Sequence, residues 1–169
     1  MKHVGLAALL CAVSLVGCSY FKKRAERAEY ERAALALQPT FSSFAAIRDR
    51  TLMSRGKLVE LDGKGSGAMG SAMYEEGERC AKAGEELAAL KVETQYEDVL
   101  LKSYVSSIGE DLEYASLSLK CTELELENLP ECAESCDAMF RKVEEDAEAF
   151  RKAAKEIYDL EVAAIPPRK

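Results

Sequence analysis

Six cysteines give this chain its widest choice of chemistry: acylation, disulfide exchange or ligation of a soft metal. Cys11 and Cys18 stand near the N-terminus, and Cys80, Cys121, Cys132 and Cys136 in the body. Cys132 and Cys136 are four apart and would share one helical face. Thiolates with methionines would suit copper(I), but this pair lacks the two-residue gap of a zinc knuckle. Met53, Met69, Met73 and Met139 are scattered over apolar positions, where methionine fills cores. Nor does Cys-x-x-x-Cys match the Cys-x-x-Cys of thioredoxin-like redox sites, and no alternation of strand and helix surrounds it. Gly65-Ser66-Gly67-Ala68-Met69-Gly70 fits G-x-G-x-x-G, but no strand precedes it, and Lys64 lies ahead of the run, so it makes neither a dinucleotide site nor a P-loop. Glu75-Glu76, Glu110-Asp111, Glu123, Glu125, Glu127 and Glu144-Glu145-Asp146 supply carboxylates for a glycosidase-type pair. Most fall opposite the apolar seams, as on a solvated helix surface. Glu76 falls on a seam, which predicts a place at a helix end or a Lys or Arg partner.

The N-terminus carries the sharpest signal. Met1-Lys2-His3 gives a positive start, and Val4 to Val16 an apolar stretch of signal-peptide length. It is shorter than the ~20 residues of an ordinary membrane-spanning helix. Leu15-Val16-Gly17-Cys18 closes it and resembles the lipobox of bacterial lipoproteins. Membership would imply diacylglycerol on the Cys18 sulfur, cleavage before Cys18 and acylation of the new amine. Several acyl chains at ~0.8 kcal/mol per buried CH₂ make a durable anchor. Ser19 follows, whereas in that family Asp there signals inner-membrane retention. The resemblance covers residues 1–18 and implies an outer-membrane protein facing the periplasm.

Cleavage removes 17 residues and leaves 152, enough for one domain with its own core. It also removes His3, the only histidine, leaving none for a Ser-His-Asp or Cys-His catalytic set, or for His-ligated zinc or haem. The formal charge moves from −7 to about −8, which disfavours nucleic acid as a partner. Lys22, Lys23, Arg24, Arg27 and Arg32 crowd the anchor end, offset in part by Glu26, Glu29 and Glu31. Such a segment suits an anionic membrane surface or the start of a salt-bridged helix.

The elements that position these residues read as helices. Residues 19–38 are strong helix formers, and Pro39 either kinks one long helix or separates two. Phe41, Phe44, Ile47 and Leu52 form a stripe over 40–58. Four glycines within 63–70 predict a flexible loop over 61–70, with helix resuming near Ser71. Met69, Met73, Glu76, Cys80, Ala83, Leu87 and Leu90 recur at four-three spacing, the pattern of an inward seam. Thr94-Gln95-Tyr96-Glu97 reads as a capping box, although an unbroken helix over 71–127 also fits. Leu101, Val105, Ile108, Leu112, Ala115, Leu119, Thr122 and Leu126 form the next seam. Tyr114, Leu117, Cys121 and Leu124 mark a second apolar face of that helix. Asn128-Leu129-Pro130 ends it. A last helix over about 131–163 carries Cys136, Phe140, Val143, Ala147, Phe150, Ala154 and Ile157.

The sum is an all-α fold: an up-and-down bundle of three to four long antiparallel helices with coiled-coil-like packing. The domain plan is a signal peptide over 1–17, an anchored N-terminus over 18–21, one bundle over 22–165 and a disordered tail over 166–169. With Cys18 acylated, four cysteines remain, and an exported chain predicts two disulfides. Cys121 and Cys136 lie at similar distances from a turn at 129, so a Cys121–Cys136 bridge is natural. Parity then gives Cys80–Cys132, but a turn near 93 would separate that pair by roughly 25 Å along the axis. Different helix boundaries, a different pairing, or a Cys80 that stays free or bridges two chains would each resolve this.

The expected function is a structural, assembly or pilotin-like factor. The membrane is met through the Cys18 lipid and another envelope protein through an acidic helical surface. No catalytic residues, metal or cofactor beyond that lipid are expected, and a small molecule is not the expected partner. The alternatives are a small-ligand or metal-binding bundle with a pocket near Met73 and Cys80, and a carboxylate-only hydrolase.

Overall fold

The computed structural model describes the backbone of residues 4–61, 66–124 and 129–169, and the side chains of 21–55, 70–119 and 134–169. It holds four helices: α1 (Val4–Leu61), α2 (Ser66–Ala88), α3 (Val99–Leu124) and α4 (Leu129–Tyr158). No strand occurs among the described residues. The fold is an all-α bundle in which α2 packs on α1 and α3, and α4 on α3 and α1.

The seams explain the packing. Leu101, Val105, Ile108, Leu112, Ala115 and Leu119 of α3 are buried, as are Cys136, Phe140, Val143, Ala147, Phe150 and Ala154 of α4. From α1 come Tyr30, Phe41, Phe44 and Ile47, and from α2 Cys80, Ala83 and Leu87. Residues three and four apart lie on one helical face, so each row offers the core a continuous apolar strip. The Phe44 ring meets Phe140 edge-on at 5.8 Å, and Tyr30 lies between Phe150 and Tyr158.

Several boundaries differ from expectation. Pro39 lies inside α1 without ending it. Ser66 already opens α2, so Gly67 and Gly70 are helical, and the remainder of the expected loop, 62–65, lies outside the described residues. The Thr94 capping box does not form. The chain is non-helical until Asp98, whose carboxylate accepts the Leu101 N–H at 2.7 Å, so Asp98 is the cap of α3. Glu29 of α1 accepts the N–H groups of Glu97 and Asp98, holding that connection against α1. Tyr114 and Leu117 are exposed, so the second apolar face of α3 is not buried there, and the Cys121 and Leu124 side chains lie outside the described residues.

Helix α4 stops at Tyr158, earlier than expected. Asp159 takes a φ of 54°, a left-handed conformation that Asp tolerates better than most residues. Its N–H bonds to the Lys155 carbonyl, and the Leu160 N–H to that of Ala154. The seam slips with this ending, since Tyr158 is buried and Ile157 is exposed.

The tail over 166–169, expected to be disordered, is tied down. Arg48 Nη2 donates to the Pro166 carbonyl at 2.9 Å, and Arg168 pairs with Asp137 and, at 3.0 Å, with Glu144. Val162 is buried against the core. The cause is Arg48, only 1% exposed, which also bonds Asp49 at 2.7 Å and Glu144 at 2.6 Å. A buried guanidinium needs acceptors for its donors, and the tail supplies one of them.

Candidate functional site

A second polar cluster in the core, apart from that of Arg48, gathers around Arg55 of α1. Its Nη2 donates to Cys80 Sγ of α2 at 3.5 Å. Cys136 of α4 reaches the same guanidinium from across the bundle, and its thiol feels the Arg55 charge. Beside them is Glu76, 2% exposed, whose Oε1 accepts the Ser54 hydroxyl at 2.8 Å and the Cys80 thiol at 3.7 Å. Arg79 donates to its Oε2 at 3.4 Å. The expected basic partner of Glu76 is therefore Arg79, one turn along α2.

Helical register explains why these residues meet. Ser116 Oγ donates to the Gly84 carbonyl at 2.8 Å, which brings Cys80 to the level of Leu119. Tyr104 against Phe150, and Asp111 near Lys142, bring Leu119 to the level of Cys136. The long connection between Ala88 and Val99 sets this register, moving the effective turn well past residue 93. Two of the open resolutions therefore hold: the helix boundaries differ, and Cys80 stays free, at about the level of Cys136.

Both expected disulfides are corrected. Cys80 and Cys136 are free thiols, so neither Cys121–Cys136 nor Cys80–Cys132 is closed. Each thiol is turned to the Arg55 layer. The side chains of Cys121 and Cys132 lie outside the described residues, as does that of Cys18. Burial, opposed by the Arg55 charge, pushes the Cys136 thiol up to about 11.

A cleft of about 190 Å³ between α1 and α2 opens onto this cluster, lined by Thr51, Ser54, Glu76, Arg79, Cys80 and others. Cys80 is thus the thiol that a reagent in the cleft would meet. Met73 is half-exposed and does not line it, so Met73 and Cys80 do not share this cleft. No group of three or more His, Cys, Asp or Glu side chains gathers as a metal site among the described residues.

A second polar pair went unseen in the sequence. Asp111 of α3 faces Asp146 of α4, and Lys142 Nζ lies 4.0 Å from Asp111 and 3.0 Å from Asp146. Burial, then the Asp146 carboxylate, raise Asp111 to about 6. Both residues belong to acidic runs that read as solvated surface. The legible signal was position: Asp111 directly precedes Leu112, and Asp146 directly precedes Ala147, each a seam residue.

Near the N-terminal end, Lys22 pairs with Glu26, Arg27 with Glu31, and Arg32 with Glu29. Arg32 also stacks over Tyr96 at 5.0 Å and donates to the Gln95 carbonyl. Comparison of the chain with protein-family models, curated proteins and solved structures finds no match.

Proposed function

We propose that this protein is a lipid-anchored envelope factor whose helical bundle binds another envelope protein. The observation that carries the proposal is Leu15-Val16-Gly17-Cys18 at the end of a short apolar leader. In this reading Cys18 bears the lipid, the protein sits in the outer membrane facing the periplasm, and no reaction is catalysed. Support for a binding role comes from α3, whose outer face presents Tyr114 and Leu117 beside the exposed acids Glu110 and Glu113. Apolar and aromatic side chains set among acids suit a protein partner with basic and apolar contacts. No helix among the described residues is long and apolar enough to cross a membrane. Pilotin-like escort of an envelope component is one form of the role, by analogy of size and helicity alone.

Fractionation tests the anchor. The native protein should partition with membranes and incorporate labelled fatty acid, and Cys18→Ser should abolish both. Unlabelled wild-type protein in the soluble fraction would overturn the proposal. The binding role predicts that cross-linking from position 114 captures one envelope protein in stoichiometric yield, and that Leu117→Glu prevents the capture.

A further inference from the structure

We propose that Cys80 and Cys136 are a cross-core disulfide pair, closed by exchange with an external disulfide that enters through the α1–α2 cleft. Three observations carry this. The two thiols sit at one level of the bundle, on helices that do not follow one another in the chain. They converge on one guanidinium, that of Arg55. Both thiols are buried, but Cys80 lines the cleft and Cys136 does not, so a reagent in the cleft meets Cys80 first.

The exchange runs in two displacements. Cys80 loses its proton, and its thiolate attacks one sulfur of the donor disulfide. That bond breaks, one donor thiolate leaves, and a mixed disulfide stands on Cys80. Cys136 then loses its proton, and its sulfur attacks that of Cys80, expelling the second donor thiolate. Two protein thiols are oxidised by two electrons, the donor disulfide is reduced to two thiols, and the two protons end on those leaving groups. Arg55 sits where negative charge develops on the attacking sulfurs, and at Cys136 its charge offsets part of the burial that disfavours the thiolate. Once the bond is closed, Cys80 no longer donates to Glu76, but Ser54 and Arg79 still hold that carboxylate. The bond would join α2 to α4, which share no hairpin, and enclose all of α3 in its loop. Cross-linking residues far apart in sequence removes more freedom from the unfolded chain than clipping neighbours together.

Occurrence of the bond in cells rests on the exported reading above, because a reducing cytosol would keep both thiols free. The pairing itself is tested apart from it. Reduced full-length protein is treated with oxidised glutathione, alkylated, and digested without reduction by trypsin and a glutamate-specific protease. The second enzyme separates Cys132 from Cys136 by cutting after Glu134. The expected product is a Cys80–Cys136 cross-linked peptide, with a rise in Tm of about 10 °C. The Cys121→Ser, Cys132→Ser double variant should still form it, and Cys80→Ser and Cys136→Ser should lose it. Recovery of Cys80 and Cys136 as alkylated thiols, or linkage of either to Cys121 or Cys132, overturns the pairing. If the bond forms in vitro but protein drawn from its own cells carries both thiols reduced, the export reading fails and the pairing stands.

Discussion

Asp111 shows how a single residue makes this bundle sensitive to pH. Its folded value of about 6 lies above the ordinary carboxylate value, so the fold favours the protonated form. The stabilising contribution is full below the unfolded value near 4 and is lost as pH rises through about 6. Asp111→Asn keeps the shape without the charge. Urea denaturation should find it more stable than wild type by about 1 kcal/mol at pH 7.5, with the gap closing by pH 4. A gap that stays constant with pH would contradict this. The sequence placed Asp111 in an acidic run but not opposite Asp146, because the pair depends on the α3–α4 register. Arg48 was hidden for a related reason: a buried arginine is exceptional, and its partners Glu144 and Pro166 are remote in the chain. Glu76 was more legible, since an acid on an apolar seam needs a partner, and Arg79 is close in sequence.

Among the elements, helix interiors were easier to read than helix ends. Four-three spacing is a local property, and the core rows of α3 and α4 follow it through Leu119 and Ala154. The start of α3 is decided elsewhere. Thr94 and Glu97 satisfy the capping-box pattern, yet Glu29 of α1 takes the N–H groups of Glu97 and Asp98, and the cap passes to Asp98. Asp98→Ala should therefore cost about 1 kcal/mol in chemical denaturation, while Thr94→Ala should cost a few tenths at most. The reverse order would restore the sequence-based boundary. At the other end, Ile157 continues the four-three spacing of the α4 seam. A helix of 3.6 residues per turn drifts from a 3.5-residue repeat, and over α4 that drift turns Tyr158 inward instead.

For the molecule as a whole, the C-terminal segment acts as a strap across α1 and α4. Arg48 holds the Pro166 carbonyl from within the core, and Arg168 closes the strap on Asp137 and Glu144. Arg48→Met would leave Asp49 and Glu144 without their buried cation, at a cost of about 3 kcal/mol by thermal or urea unfolding. It should also speed proteolysis within 160–169. Unchanged stability together with an intact, protected tail would refute the strap. At this scale the all-α bundle was legible, because no segment alternates with the period of a strand and every apolar row has helical spacing. The polar layer of Arg55, Glu76, Cys80 and Cys136 was not. It joins three helices, and its composition depends on how they slide against one another.

Attachment through Cys18 decides whether the bundle works at a membrane, in an oxidising space and beside another envelope protein. The direct measurement is the intact mass, without reduction, of the protein isolated from its own cells. The predicted result is a chain beginning at Cys18 and carrying the mass of its acyl groups. A chain that still begins at Met1, or begins at Cys18 with no added mass, would contradict it.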